Sequence, residues 1–206
     1  MYSIPEFTVT DKRRITEFIK SHPFALITGN SSTGFPQATQ VPLNIFTKND
    51  DIFLGGHLMR NTDHHLAFLE NKNILTVFNG PQAYISASWY TKPNVASTWN
   101  YITVFASGEI NFLDDTQTIK ELQRITDEYE APSSAATFKS MPEEYVSRMS
   151  KAVAAFEIKV NSFHAIFKLS QNHNIETRQS IISELRKRND GDDFKLAIEM
   201  EKELST

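Results

Sequence analysis

Apolar residues recur along the chain with two periods, and these divide it into strands and helices. DKRRITEFIK at 11–20 places Ile15, Phe18 and Ile19 on one helical face, with Thr10 or Asp11 suited to cap its start. FALIT from Phe24 reads as a buried strand, and QATQVPLNIF from Gln37 as a second in which Pro42 implies an edge or a bulge. The simple inference is a hairpin through SSTGFP. IFLGGHL from Ile52 is a third strand, whose paired glycines permit close approach to its backbone. DHHLAFLENK then gives a short helix with Leu66, Phe68 and Leu69 apolar and Thr62 or Asp63 as N-cap.

ILTVFN from Ile74 is a fourth strand, and Gly80-Pro81 predicts a turn into AYISA, a strand of its own. A long loop spans Ser88 to Ser97, and TWNYITVFASGEINFL is a long strand that Gly108 marks with a bulge or bend. A helix is expected over Asp115–Glu130, with Ile119, Leu122 and Tyr129 on one side. A second follows a loop and a Ser140–Glu143 capping box, with Tyr145, Val146, Met149 and Val153 as its stripe. AFEIKV and FHAIFKLS return to strand character about an Asn161-Ser162 turn, and IETRQSIISELRKR and FKLAIEMEKEL are closing helices. Short strands with few helices between them predict an antiparallel barrel or sandwich, mainly β with peripheral helices. The expected division is a β domain over 1–172, including a helical excursion at 114–153, and a helical segment over 173–206.

Composition narrows the chemistry. The 206 residues contain no cysteine, which excludes disulfides, thiolate catalysis and cysteine-ligated metals. With no secretion signal and no apolar run long enough to cross a bilayer, the expected location is cytoplasmic. The net charge of −4 argues against a surface that binds DNA everywhere, while leaving room for a local basic patch. The one candidate patch is Arg178 with Arg186, Lys187 and Arg188, a pattern more often found on a solvated helix face. Adjacent His64 and His65 lie about 100° apart on a helix, so no metal site is expected. GxSxG, GxGxxG and P-loop patterns are all absent.

Two features point to a ligand. Arg60, at a strand end before a helix N-terminus, offers a guanidinium beside free backbone N–H groups and so suits a phosphate. Gly80–Tyr101, GPQAYISASWYTKPNVASTWNY, combines two Trp and three Tyr with many hydrogen-bonding groups, which suits a planar polar ligand.

GPQAYISASWY, TWNY, FKLSQN, MYSIPEF and GHLMR together resemble the PaiB-type family of FMN-binding negative transcriptional regulators, from residue 1 to about residue 190. The resemblance implies a split β-barrel of the FMN-binding type, a homodimer, and FMN as cofactor. His57 and Arg60 match the family's strand-end pair. Trp89, Tyr90, Thr98, Trp99, Asn100 and Tyr101 match its aromatic signatures, and Lys168, Leu169, Ser170, Gln171 and Asn172 its late motif. The cofactor-binding set this implies is Gln40, Val41, Pro42, Leu43, His57, Arg60, Asn61, Thr62, Trp99, Lys168 and Gln171. Asn61-Thr62-Asp63 replaces the family's Ala-Asn-Pro, and Ser97 replaces a Pro. A carboxylate there weakens a phosphate site. The resemblance leaves two roles open besides an FMN-binding regulator: a flavin-dependent oxidoreductase related to pyridoxamine-phosphate oxidase, and direct DNA contact through the C-terminal helices.

Overall fold

The computed structural model describes residues 4–204, whose chain contains eight strands and six α-helices. They form two compact units, and strands β6 (Asn73–Ile85), β7 (Thr98–Phe112) and β8 (Val153–Lys168) each run from one unit into the other. Unit 1 takes the described residues up to His22 with 78–105 and 164–204; unit 2 takes 23–77 and 106–163. Residues 173–204 therefore belong to the same unit as the N-terminal helix.

In unit 2, β2 (Phe24–Asn30) and β3 (Pro36–Pro42) form the expected hairpin, with Phe24 opposite Pro42 and Asn30 opposite Pro36. β4 (Asn44–Lys48) pairs antiparallel with β5 (Asp51–Met59), and β5 with β8. The strand order is β3-β2-β6-β7-β8-β5-β4, so β3 and β4 are its two edges. The single strand expected from Gln37 to Phe46 is thus two strands, broken at Leu43, whose N–H donates to the Pro23 carbonyl. The paired glycines of β5 are approached by the chain itself. A Cβ on Gly56 would lie 2.8 Å from Leu43 Cδ2 and 3.0 Å from the Pro42 carbonyl, and one on Gly55 2.6 Å from Asn44 Oδ1.

Two turns read from sequence are absent. Gly80-Pro81 lies inside β6, beyond residues 74–77, which pair with β2. Gly80 is needed there because a Cβ would meet the Phe18 ring at 2.8 Å. Asn161-Ser162 likewise lies inside the continuous β8. Those residues are polar because they are exposed, not because the chain reverses.

α1 (Lys12–Ser21) is capped by Asp11 and buries Ile15, Phe18 and Ile19, as its spacing predicts. α2 (Asp63–Glu70) is capped by Thr62 but buries His65, Ala67 and Phe68, leaving Leu66 and Leu69 about half exposed. α3 (Asp115–Tyr129) has a capping box from Asp114 and Gln117, and buries only Thr118. The capping box expected at Ser140–Glu143 does not form: Pro142 precedes α4 (Glu143–Ala152), and the Ser140 hydroxyl donates to the Ala135 and Thr137 carbonyls. Tyr145 and Met149 of α4 and Tyr129 of α3 stay exposed. In unit 1, β1 (Thr8–Val9) pairs with the end of β8. α5 (Ile175–Arg188) and α6 (Asp193–Lys202) bury Ile181, Leu185, Leu196 and Met200, which join Phe78, Ile85, Ile102 and Phe167 in that unit's core.

Among the described residues, no helix is long and apolar enough to cross a membrane.

Candidate functional site

At the end of β5 the chain turns sharply into α2, and side chains there fix the corner. The Arg60 N–H donates to the Ala152 carbonyl at 2.9 Å, and Asn61 takes a left-handed conformation (φ 61°) that asparagine tolerates better than most residues. The Thr62 hydroxyl donates to the Met59 carbonyl, contacts His64 Nε2 at 2.9 Å and accepts from the His65 N–H. His65 Nδ1 accepts from the Asn61 N–H at 3.1 Å. Both adjacent histidines are therefore part of the turn's own hydrogen bonding.

Against this corner lies a cleft of about 370 Å³ in unit 2, lined by Thr39, Gln40, Val41 and Pro42 of β3, by His57, Leu58 and Met59 of β5, and by Thr62, His64 and Val153. It brings together five of the residues nominated from sequence: Gln40, Val41, Pro42, His57 and Thr62. Leu43 is buried in the core and packs over Gly56. Arg60 and Asn61 flank the cleft without lining it.

Arg60 is held by its own protein. Its Nε donates to the Val153 carbonyl at 2.6 Å and its Nη2 to Asp115 Oδ1 at 3.1 Å. A guanidinium carries five N–H groups, so three remain for a ligand. Asp115 is a competitor for that charge which no local sequence pattern shows, since α3 comes 55 residues later.

Burial dominates the electrostatics of the imidazoles. It pushes the pKa of His57 below the ordinary histidine value, with Glu121 opposing and Arg124 assisting; it pushes His64 and His65 down as well. These side chains are neutral at pH 7, so each ring offers one donor and one acceptor nitrogen. His57 Nδ1 is buried with no hydrogen-bond partner.

Trp99, Lys168 and Gln171 belong to unit 1. Trp99 is half exposed and meets Tyr84 edge-on. Gln171 is engaged locally, accepting from the Leu169 N–H at 2.8 Å and donating to the Phe167 carbonyl. Lys168 Nζ donates to Thr98 Oγ1 and lines a separate cavity in that unit. Sequence reasoning missed Thr39, Leu58, Met59, His64 and Val153. A signal for His64 exists in the sequence, because it lies two residues after the N-cap Thr62.

The C-terminal basic cluster is largely ion-paired. Arg186 binds Glu201 through two bonds of 2.9 and 2.8 Å, and Lys187 lies 3.7 Å from Glu184. Arg188 grips the buried carboxylate of Asp193. Arg178 is different: its Nε and Nη2 are buried without a hydrogen-bond partner.

The donor set of the unit 2 cleft fits FMN. A terminal strand presents backbone groups unused by the sheet, which can match the alternating donors and acceptors along a flavin ring edge. His57 Nδ1 lacks a partner, and Arg60 with the first turn of α2 supplies donors for a phosphate. Asp63 in that first turn is the element that opposes it.

A family model described as "Putative FMN-binding domain" matches residues 1–162. "Protease synthase and sporulation protein PAI 2" of Bacillus subtilis is 30% identical over 205 residues, covering 99% of this chain and 98% of its own. An uncharacterized protein of Emericella nidulans is 26% identical, covering 82% of this chain and 79% of its own. Among solved structures, the FAD and heme binding protein of Mycobacterium smegmatis matches with TM-score 0.60 at 14% identity, covering 84% of this chain and 78% of that one. The flavocytochrome Anf3 of Azotobacter vinelandii matches with TM-score 0.52 at 15% identity, covering 78% and 69%. These structures share the fold, a split β-barrel. The chain belongs to the FMN-binding domain family, and within it to the PaiB type of split-barrel regulator.

Proposed function

We propose that this protein is a homodimeric regulator that holds FMN in the unit 2 cleft, with the ring edge along Gln40–Pro42 and His57, and the phosphate toward Arg60, Asn61 and Thr62. The observation that carries the reading is the buried, unpartnered His57 Nδ1 in a cleft bordered by an unpaired strand edge. Bound FMN supplies redox chemistry and visible absorbance. The chain's own residues bind the ring, orient it and place positive charge at the phosphate. The exposed Tyr129, Tyr145 and Met149 of α3 and α4 support association of two copies. The oxidoreductase alternative rests on fold likeness alone, which does not carry function. DNA contact through α5 is disfavoured, since Arg186 and Arg188 are already paired with carboxylates.

Titration of FMN and of riboflavin, followed by quenching of flavin fluorescence, tests this. The expected result is one FMN per chain in a particle with the mass of two chains. FMN should bind at least about 10-fold more tightly than riboflavin, as expected for charge-assisted bonds to the phosphate. Arg60→Gln should abolish that preference while riboflavin binding stays constant. An unchanged preference in the variant, or no FMN uptake by the wild type, contradicts the proposal.

A further inference from the structure

Unit 1 contains a cavity of about 340 Å³ that the proposed flavin site does not use. It forms where Tyr90–Asn100, part of the aromatic and hydroxyl-rich stretch, meets the end of β8. Phe7 and Tyr90 give it aromatic walls, and Ile4 and Val95 add apolar surface. Lys168 supplies the charge. Its ammonium makes one hydrogen bond, to Thr98 Oγ1, so two of its three donors remain. Among the described residues, no aspartate or glutamate lines the cavity.

The corner that presents Lys168 is rigidly built. Ser170 is a buried non-glycine residue in a left-handed conformation (φ 64°), a strained state that persists only where the surroundings enforce it. Its hydroxyl accepts from Nδ2 of the fully buried Asn100 at 2.9 Å and donates to Oδ1 of the same amide at 3.2 Å. Gln171 ties the Leu169 N–H to the Phe167 carbonyl across the same corner. Tyr90 meets His173 edge-on at 4.9 Å, which fixes the aromatic wall.

We propose that this cavity is a second binding site, for a small planar aromatic carboxylate, with the carboxylate on Lys168 and Thr98 and the ring against Phe7 and Tyr90. Charge matching selects a monoanion. Burial lowers the pKa of Lys168, a cost that a bound carboxylate relieves. Burial, assisted by Lys92, lowers that of His173 and leaves it neutral at pH 7. Among the described lining residues Lys168 is the one cation, so a single carboxylate matches the charge that the cavity wall itself presents.

The test is calorimetric titration of the FMN-equilibrated full chain with benzoate, benzamide and phenyl phosphate. Benzoate is expected to bind saturably in the millimolar range or below, one per chain. The uncharged isostere benzamide and the Lys168→Gln variant should each weaken binding about 10-fold or more, the loss expected for one charge-assisted hydrogen bond. Ala96→Phe, which fills the cavity from its exposed rim, should block benzoate while leaving the melting temperature unchanged. Benzoate binding equal in wild type and Lys168→Gln, or absent in wild type, overturns the proposal. Tighter binding of phenyl phosphate overturns the carboxylate assignment. Loss of FMN affinity in Lys168→Gln would place Lys168 in the flavin site and overturn a separate one.

Discussion

Arg188→Ala is expected to destabilise the chain by about 3 kcal/mol, because it leaves a buried carboxylate without its counter-charge. Asp193 is only 1% exposed, and Arg188 reaches it with Nε at 2.6 Å and Nη2 at 2.5 Å, while Nη2 also donates to the Tyr84 carbonyl at 3.0 Å. The guanidinium lies over the Trp89 ring, 4.8 Å from its centre. Urea unfolding measures the loss. The sign of its pH dependence follows from Asp193. Burial raises that carboxyl's pKa, but the bonds from Arg188 and from the Asp190 N–H outweigh burial and leave it below the ordinary aspartate value. The pair's stabilisation is therefore fully present above the unfolded aspartate pKa and is lost as pH falls through the lower folded value. In Arg188→Ala burial acts with only the Asp190 bond against it, so the acid transition should move to higher pH. An Arg188→Met, Asp193→Leu double variant should recover much of the stability. A single variant within 1 kcal/mol of wild type would show that the pair carries little.

Gly108→Ala should cost as much, by a different mechanism. A Cβ at Gly108 would lie 2.3 Å from the Lys159 carbonyl oxygen and 2.9 Å from Ile158 Cγ2. The nearest atom is backbone in the neighbouring strand β8, so relief requires β7 and β8 to separate rather than a side chain to turn. The expected loss is about 3 kcal/mol, at the upper end for overpacking, read as a fall in urea midpoint. Gly191→Ala is the control. Gly191 has φ 52° with no atom within 4 Å of its would-be Cβ, so only backbone strain of about 1 kcal/mol applies. Equal losses in the two variants would refute the steric account.

What was legible in the sequence was mostly short-range or carried by family signatures. The caps of α1 and α2 depend on residues within a few positions, and Asp11 and Thr62 fill them as read. The hidden parts depend on distant partners. Gly80 looks like half a turn until Phe18, from α1, is seen against its Cα. Leu66 and Leu69 look like core residues of α2. Burial instead selects His65, which packs edge-on against Phe112 of β7 at 4.9 Å. An eight-residue helix is too short for periodicity to fix its rotation. The candidate site shows the same division. Gln40–Pro42, His57 and Thr62 were nominated together and line one cleft. The Asp115 that holds Arg60 comes from a helix whose docking no local pattern encodes. Part of the aromatic stretch at 80–101 lines a cavity, and that cavity contains Lys168 of unit 1, not Arg60.

The most direct test of the central claim is amide hydrogen exchange with and without FMN. If the flavin lies in the unit 2 cleft, exchange should slow in peptides containing Gln40 and Val41 and in those spanning Met59–His64, while Lys168–His173 in unit 1 keeps its rate. Protection confined to Lys168–His173, with Gln40, Val41 and Met59–His64 unaffected, would contradict the account.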